Sequence, residues 1–482
     1  MLLSTILFPM IAGTAVSALD MDRGRRRKLY AVVLALADLL GVLALVRGGP
    51  LHLLPLAGGL ELYFALDRIG RWFLAIVLLV YTAACVYAFE YMNMEEREPW
   101  FFGFWFASFG AVMAACMAGN LVTLYLCFEL ATLSSMPMVL HEGTREAIAA
   151  ALKYLFYSIG GALLGLFAVM VVCVYGGEAA NAFAPGGFLD TAVLRERGAL
   201  LEWAVFCGVV GFGAKSGMYP LHGWLPAAHP IAPAPASALL SGVIAKLGIL
   251  AVIRLVYFSA GPAVLAGTTA QKVWIALALL TIFMGSMMAF REKVMKKRLA
   301  YSSISQISYI MLGLALLNEE GLTGGLLHFA AHAVSKGALF LCAGVFIYKL
   351  GKREAGELRG AGVRMPVTMW CFLIASLSLV GIPPLGGFVS KWHLALGALG
   401  SGLGVWGVLA PIVLLVSAFL TAGYLLPVAV DAFFPGRDFP EEERAEPSAL
   451  MTVPLCVLCG AAACVGLFGA WLAGALDVPA LF

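Results

Sequence analysis

Charge is scarce in this sequence. Of its 482 residues only 12% are charged and 62% are hydrophobic, whereas an ordinary soluble domain carries about 25% charged residues. With a mean hydropathy of +0.94 and apolar runs recurring along the chain, a soluble globular fold is excluded and a polytopic membrane protein is implied. The 31 Lys and Arg nearly balance the 28 Asp and Glu without forming a basic arm, so nucleic-acid binding has no electrostatic footprint. No GxGxxG opens a helix, and neither GxxxxGK[ST] nor GxSxG occurs, which removes nucleotide binding and serine chemistry. All ten cysteines lie in apolar stretches, where they read as small packing residues rather than a disulfide framework. Cys456-x-x-Cys459 lacks the second pair or nearby histidines of a zinc or iron–sulfur site. A signal peptide is also missing: the first apolar run, Leu2 to Leu19, is followed rather than preceded by positive charge, at Arg23, Arg25, Arg26, Arg27 and Lys28, and reads as a retained first span.

What is present is length enough to cross a bilayer many times. A span needs about 20 mostly apolar residues. Proline, glycine and charge clusters mark off fourteen of them, at 2–19, 29–46, 71–91, 100–118, 120–140, 147–175, 199–219, 237–260, 271–290, 299–317, 321–348, 366–396, 403–434 and 449–475. The odd-numbered connections hold nineteen Lys and Arg and the even-numbered ones six. By the positive-inside rule both termini then lie on the non-cytoplasmic side of a prokaryotic inner membrane.

Two spans are interrupted. Span seven runs into Tyr219-Pro-Leu-His-Gly-Trp-Leu-Pro226, and span twelve contains Gly381-Ile-Pro-Pro-Leu-Gly-Gly387. Irregular backbone at membrane depth is tolerated only where protein or water satisfies it, and matched interruptions in two halves of a transporter point to its ion site. The offset of 176 residues between Lys215 and Lys391 resembles that of 171 between the starts of spans four and nine. Two five-span repeats are expected, and an odd number of spans makes them inverted. The chain divides accordingly into 1–99 (three N-terminal spans), 100–260 and 261–434 (the repeats), and 435–482 (an acidic loop and the last span).

Ionisable residues sit where they are expensive. A lysine at the centre of a span costs about 3 kcal/mol on insertion scales, yet Lys215, Lys246, Lys336 and Lys391 lie in or beside mid-span positions and Glu129 lies inside span five. Lys153 and Arg254, near span ends, fit snorkelling to an interface. Asp38 and Asp431 read as packing or interface residues. A Lys215–Glu129 pair that opens and closes would take up and release a proton, because burial and a neighbouring carboxylate act oppositely on a lysine. His328, His332 and Lys336, at i, i+4 and i+8, share one helix face. They make a polar stripe suited to a proton relay rather than a metal site, which would need a third ligand nearby. His222 and His229 read as caps of backbone groups freed by the interruption, His222 being also a candidate relay.

These same residues carry a family resemblance. Lys215-Ser-Gly-Met-Tyr-Pro-Leu-His-Gly-Trp-Leu-Pro-Ala-Ala-His229, Cys127-Phe-Glu129-Leu, Lys297-Arg-Leu-Ala-Tyr-Ser-Ser-Ile-Ser-Gln306, His332-Ala-Val-Ser-Lys336 and Gly381-Ile-Pro-Pro-Leu-Gly-Gly-Phe-Val-Ser-Lys391 resemble the proton-conducting, antiporter-like subunits of respiratory complex I. Their relatives are Mrp-type sodium/proton antiporters and energy-converting hydrogenases. The resemblance implies a fourteen-helix fold with inverted five-helix repeats and breaks in helices seven and twelve. It makes Glu129 the partner of Lys215, Lys246 and Lys336 the lysines of helices eight and eleven, Lys391 the terminal helix-twelve residue, and Lys153 a further helix-six lysine. A lysine at 391 fits a quinone-oxidoreductase branch, the Mrp branch or a hydrogenase arm. With the last span followed only by the few residues to Phe482, a member other than the largest complex I subunit, which carries a lateral helix, is expected.

The resulting expectation is a proton-translocating membrane subunit of a redox-driven assembly, with no cofactor, metal or catalytic centre of its own. Its partners would be other membrane-arm subunits, the lipid bilayer and, indirectly, redox subunits. A sodium/proton antiporter subunit is the near alternative, weakened by how few carboxylates lie inside the spans. A non-pumping scaffold is the distant one, weakened because a scaffold has no use for costly buried lysines.

Overall fold

A computed structural model describes residues 1–56, 59–436 and 443–482, the side chain of Thr191 excepted; Arg437 and the acidic stretch of the last connection lie outside them. The chain is almost entirely helical: α1 (Leu2–Ala18), α2 (Arg23–Arg47), α3 (Arg68–Tyr91), α4 (Glu98–Cys116), α5 (Leu121–Val139), α6 (Arg145–Gly176), α7 (Thr191–Lys215), α8 (Leu225–Ile231), α9 (Ala234–Gly242), α10 (Leu247–Leu255), α11 (Thr269–Arg291), α12 (Met295–Ala315), α13 (Glu319–Leu350), α14 (Ala361–Arg364), α15 (Pro366–Val380), α16 (Gly386–Leu399), α17 (Val405–Phe433), α18 (Ala449–Leu467) and α19 (Gly469–Leu476). Among the described residues eleven helical stretches are long and apolar enough to cross a membrane. Leu2–Ala18 and the broken Pro366–Val380 fall short in length, and α12 is too polar along its first turns to count.

The sequence offers no strand, yet the connection after α2 folds as an antiparallel hairpin, β1 (Leu51–Pro55) with β2 (Glu61–Phe64). Pro50 and Pro55 keep this segment from helix. Tyr63 N–H donates to Thr123 and Gly119 N–H to the Tyr63 carbonyl, which ties the hairpin to the start of α5.

The long helix α13 forms the axis, packed by α3, α9, α12, α15, α16 and α18. It and the Ala234–Ala260 segment are almost wholly enclosed, whereas α6 and α17 turn large apolar side chains such as Phe156 and Phe419 outward. Apolar surface on outward helices is stable only against lipid or another subunit.

Three interruptions shape the interior. α7 ends at Lys215 and the chain resumes as helix at Leu225; α15 ends at Val380 and resumes at Gly386. The third, missed by the sequence reading, divides span eight: Val243 leaves helical geometry at φ −134°, ψ −55°, and a 3₁₀ turn over Ile244–Lys246 joins α9 to α10. No proline marks it.

Glycine makes the second break possible. Gly381 closes α15 at φ 95°, a conformation that strains any residue with a Cβ. A Cβ on Gly387 would overlap the Ser378 carbonyl oxygen. Gly387→Ala is therefore expected to separate α15 from α16 and to lower the amount of folded protein in membranes several-fold, measured by quantitative immunoblot; unchanged levels would show that the crossing relaxes.

Candidate functional site

A helix leaves its last four carbonyls without partners, and inside a membrane no bulk water supplies them. Lysines supply three helix ends here, those of α9, α15 and α8. Lys246 Nζ donates to the Ser241 and Gly242 carbonyls at the end of α9, at 2.5 and 2.8 Å. Lys391 Nζ, in the second turn of α16, reaches back to the Leu379 and Val380 carbonyls of α15 at 2.6 and 2.9 Å. Lys296 Nζ donates to the Pro230 and Ala232 carbonyls at the end of α8. An ammonium group has three donors and suits the negative end of a helix dipole.

Lys215 differs. It is the last residue of α7, fully buried, and its Nζ donates to Thr132 Oγ1. It also sits 4.6 Å from the Phe128 ring centroid and 5.7 Å from that of Tyr154, contacts that favour a desolvated cation. Glu129 lies on the same helix as Thr132, feels the Lys215 charge, and forms no ion pair with it; its buried Oε1 has no hydrogen-bond partner. The expected pair is thus open.

A row of interior groups runs from Lys246 to Lys391. Lys336 Nζ has one protein bond, 3.1 Å to the Leu299 carbonyl, and it and Lys246 are close enough to repel one another. One turn back along α13, His332 is fully buried with neither ring nitrogen partnered. Its ring lies 6.1 Å from that of His328. His328 bridges three helices, Nδ1 to Ser390 Oγ at 2.8 Å and Nε2 to Gln306 Oε1 at 3.1 Å, over the Tyr309 ring at 5.2 Å. The same tyrosine ring also carries Lys391, Nζ 5.0 Å from its centroid. Among the described residues no carboxylate comes within ion-pair distance of Lys246, Lys336 or Lys391. Positive charge with no counter-ion in a dry interior is stable only when it is shared, moved or lost as protons.

The sequence-predicted residues are thereby sorted. Lys246, His328, His332, Lys336 and Lys391 come together in one interior row, and Glu129 and Lys215 meet separately at the end of α7. Lys153 is exposed beside His222, whose ring stacks on Tyr219, and neither reaches that line. Two readings are corrected. Arg254 does not snorkel: it is 2% exposed and holds Asp67 through two bonds of 2.5 and 2.6 Å. His229 caps nothing with its ring, both nitrogens being buried and unpartnered against Phe340; Lys296 does the capping. Asp38 finds a partner in Thr82, at 2.8 Å. Sequence reasoning missed Lys296, which it counted among loop charges, and the polar groups Thr132, Gln306, Tyr309 and Ser390.

Fold and site together define a multi-helix membrane protein enclosing a row of titratable side chains between broken helices. Residues 118–421, which include every residue from Glu129 to Lys391 in that row, match the family described as NADH:quinone oxidoreductase/Mrp antiporter, transmembrane, and the chain belongs to it. It is 34% identical to NADH-quinone oxidoreductase subunit N of Desulforudis audaxviator, over 96% of this chain and 94% of the other. It is 29% identical to an Na+/H+ antiporter subunit of Alkalihalophilus pseudofirmus, over 81% and 77%. Among solved structures, a chain of respiratory complex I from Thermus thermophilus superposes with a TM-score of 0.83 at 26% identity, covering 100% of this chain and 98% of that one.

Proposed function

We propose that this chain is a proton-translocating membrane subunit of a redox-driven, complex I-like assembly. One observation carries the reading: Lys246, Lys336, His332 and His328, all buried, and Lys391 beside them neighbour one another through a packed interior with no carboxylate of the described residues within ion-pair distance, while Lys215 faces Glu129 at the end of α7. Each is a group whose proton is exchangeable when burial disfavours its charge. Glu129 sets the charge state of Lys215, and Lys153 and His222 neighbour one another at the first break, apart from the line, as a separate relay. The chain binds no cofactor of its own in this reading and receives its energy through contacts with neighbouring membrane-arm subunits.

The same reading has fourteen spans, the eleven long helices joined by α1, α12 and the α15–α16 pair. Spans four to eight and nine to thirteen (100–260 and 261–434) form inverted repeats. The lysines at the two breaks stand differently, Lys215 ending the first half-helix and Lys391 lying inside the second, so the repeats have diverged where they work. The home of the protein is a prokaryotic inner membrane, both termini on the non-cytoplasmic side.

Similarity to an antiporter subunit favours sodium exchange as the second reading. Sodium sites are built from carboxylates and carbonyls, and an interior of lysines repels the ion. The test is proton pumping by the reconstituted parent complex, with and without sodium, comparing wild type with Lys246→Met and Glu129→Gln at equal assembly. Pumping that falls at least tenfold in Lys246→Met, and is independent of sodium, is expected. Unchanged pumping in both variants would leave only a scaffold.

A further inference from the structure

Away from the row of lysines, one ionisable group stands at membrane depth on an outer face. α2 is bounded by basic residues at both ends, Arg23 to Lys28 and Arg47, and Asp38 lies ten residues from Lys28 and nine from Arg47. At a rise of about 1.5 Å per residue it is about 15 Å from the one and about 14 Å from the other, the middle of a hydrocarbon core about 30 Å thick. Asp38 is half-buried and lines a cleft of about 340 Å³ between α2, α3 and α18. Apart from Thr82 the walls are apolar, among them Leu79 and Val86 of α3 and Pro454 of α18. The cleft faces outward: the lining residues Val42, Val453 and Val457 are 51%, 55% and 46% exposed.

A carboxylate accepts through two oxygens with about four lone-pair sites. Asp38 has one donor, the Thr82 hydroxyl, which stands 2.8 Å from both oxygens and whose single proton serves one of them at a time. Among the described residues no lysine, arginine or histidine pairs with Asp38 or acts on it electrostatically. Acyl chains offer no donor, and at this depth headgroups are out of reach. A carboxylate inside the hydrocarbon is expensive to insert, and nothing within the chain repays it. The remaining source of a partner is a protein covering the cleft, and at this depth such a protein is a helix. A second copy of this chain, docked face to face, would set Asp38 against Asp38.

We propose that the cleft between α2, α3 and α18 is a docking surface for a transmembrane helix of a different subunit, which presents a lysine or arginine to Asp38. The inference shares with the functional reading the need for a membrane neighbour and does not depend on proton movement. Each charge alone is penalised in lipid; brought together they attract where water does not screen them. An apolar helix in the same cleft leaves the acid unpaired, so Asp38 selects its neighbour by charge as well as by shape. Thr82 is a positioning residue that fixes the carboxylate toward the cleft.

The test places a photoreactive amino acid at Val42 or Val457 of the full chain, in native membranes that contain the parent complex. Phe156 of α6 and Phe419 of α17, also turned outward, are the comparison positions. The expected product is a cross-link from the cleft to a transmembrane peptide of another subunit that carries a lysine or arginine, identified by mass spectrometry. A cross-link to a peptide without a basic residue, to a second copy of this chain, or to lipid alone while a comparison position captures protein overturns the docking surface and leaves the functional reading standing. Capture of no protein at any position removes the neighbours that reading requires, and both fall. Charge pairing has its own readout. At equal amounts of chain in the membrane, Asp38→Leu is expected to be retained at least fivefold less than wild type in the detergent-purified complex, and Asp38→Lys less still. Wild-type retention of either variant overturns the pairing. Where a variant does not reach the membrane, the cross-link, made with Asp38 intact, decides.

Discussion

Lys336→Met is expected to make the protein more stable and to stop proton translocation. The two halves of that result have one cause. Lys336 is fully buried on α13, and its ammonium has a single protein partner, the Leu299 carbonyl, which already accepts the Ser303 hydroxyl. Removing the lysine therefore leaves no orphaned acceptor. It removes a desolvated cation and its repulsion with Lys246, worth about 3 kcal/mol by the penalty for lysine at mid-membrane. Methionine, flexible and of similar length, fills the space. The thermal midpoint of the purified complex in detergent should rise by a degree or more while pumping falls at least tenfold. Gain of stability with loss of activity is the mark of a group kept for function at the expense of the fold. A variant that pumped normally, or one that lost assembly, would assign Lys336 a structural place instead.

Lys246 and Lys391 should not behave so simply, because each caps a broken helix. Their loss frees two carbonyls, at about 1–3 kcal/mol for each buried group left unmade. The same residue type thus serves two ends in one interior, and only the hydrogen-bond partners separate them.

Much of this was legible in the sequence because bilayer thickness imposes a length on apolar runs and proline or glycine must mark most breaks. The residues of the buried line, Lys215, Lys246, His328, His332, Lys336 and Lys391, stood out for a similar reason: a charge or a polar stripe in an apolar run is visible without knowing what it touches. What stayed hidden depended on direction or on distant partners. Lys296 sits within the basic cluster Lys293–Arg298, and counting charges cannot say which one points inward. In the first turns of α12 burial falls on Met295, Lys296, Leu299 and Ala300 and spares Lys297, Arg298 and Tyr301, so helix periodicity there carried that signal. The break at Val243 carries no proline; its stabilising group is the Lys246 ammonium itself, so the residue taken for function is also the one that allows the irregular backbone. Tyr309, Gln306 and Ser390 look ordinary in sequence and matter only because α12, α13 and α16 meet.

Arg254 was misread for want of a partner 187 residues away, and that pair yields the second large effect. Asp67→Asn is expected to destabilise the protein by about 3 kcal/mol or more, and Arg254→Met by clearly less. The asymmetry follows from exposure: the Arg254 side chain is 2% exposed and Asp67 38%. Removing the carboxylate strands a guanidinium between the Phe183 and Phe258 rings, 4.7 and 4.6 Å away, and an unpaired buried charge costs about 3–5 kcal/mol. Removing the arginine leaves a carboxylate that water can reach. Asparagine is chosen because it keeps the cap on α3 that Asp67 provides through Gly70 N–H. Burial pushes the Asp67 carboxyl up, but the Arg254 charge and the hydrogen bonds from Arg254 and Gly70 outweigh it and hold the group below the ordinary carboxylate range. A group lowered by folding contributes stability that is complete above its unfolded pKa, about 3.9, and is lost as pH falls through the folded value. The gap between wild type and Asp67→Asn should therefore be constant from neutral pH down to about pH 5 and close only below about pH 4. Thermal unfolding of the purified protein in detergent across that range decides it. A gap that closed already near pH 6, or an Arg254→Met variant less stable than Asp67→Asn, would mean that the arginine is held by its aromatic neighbours rather than by the carboxylate.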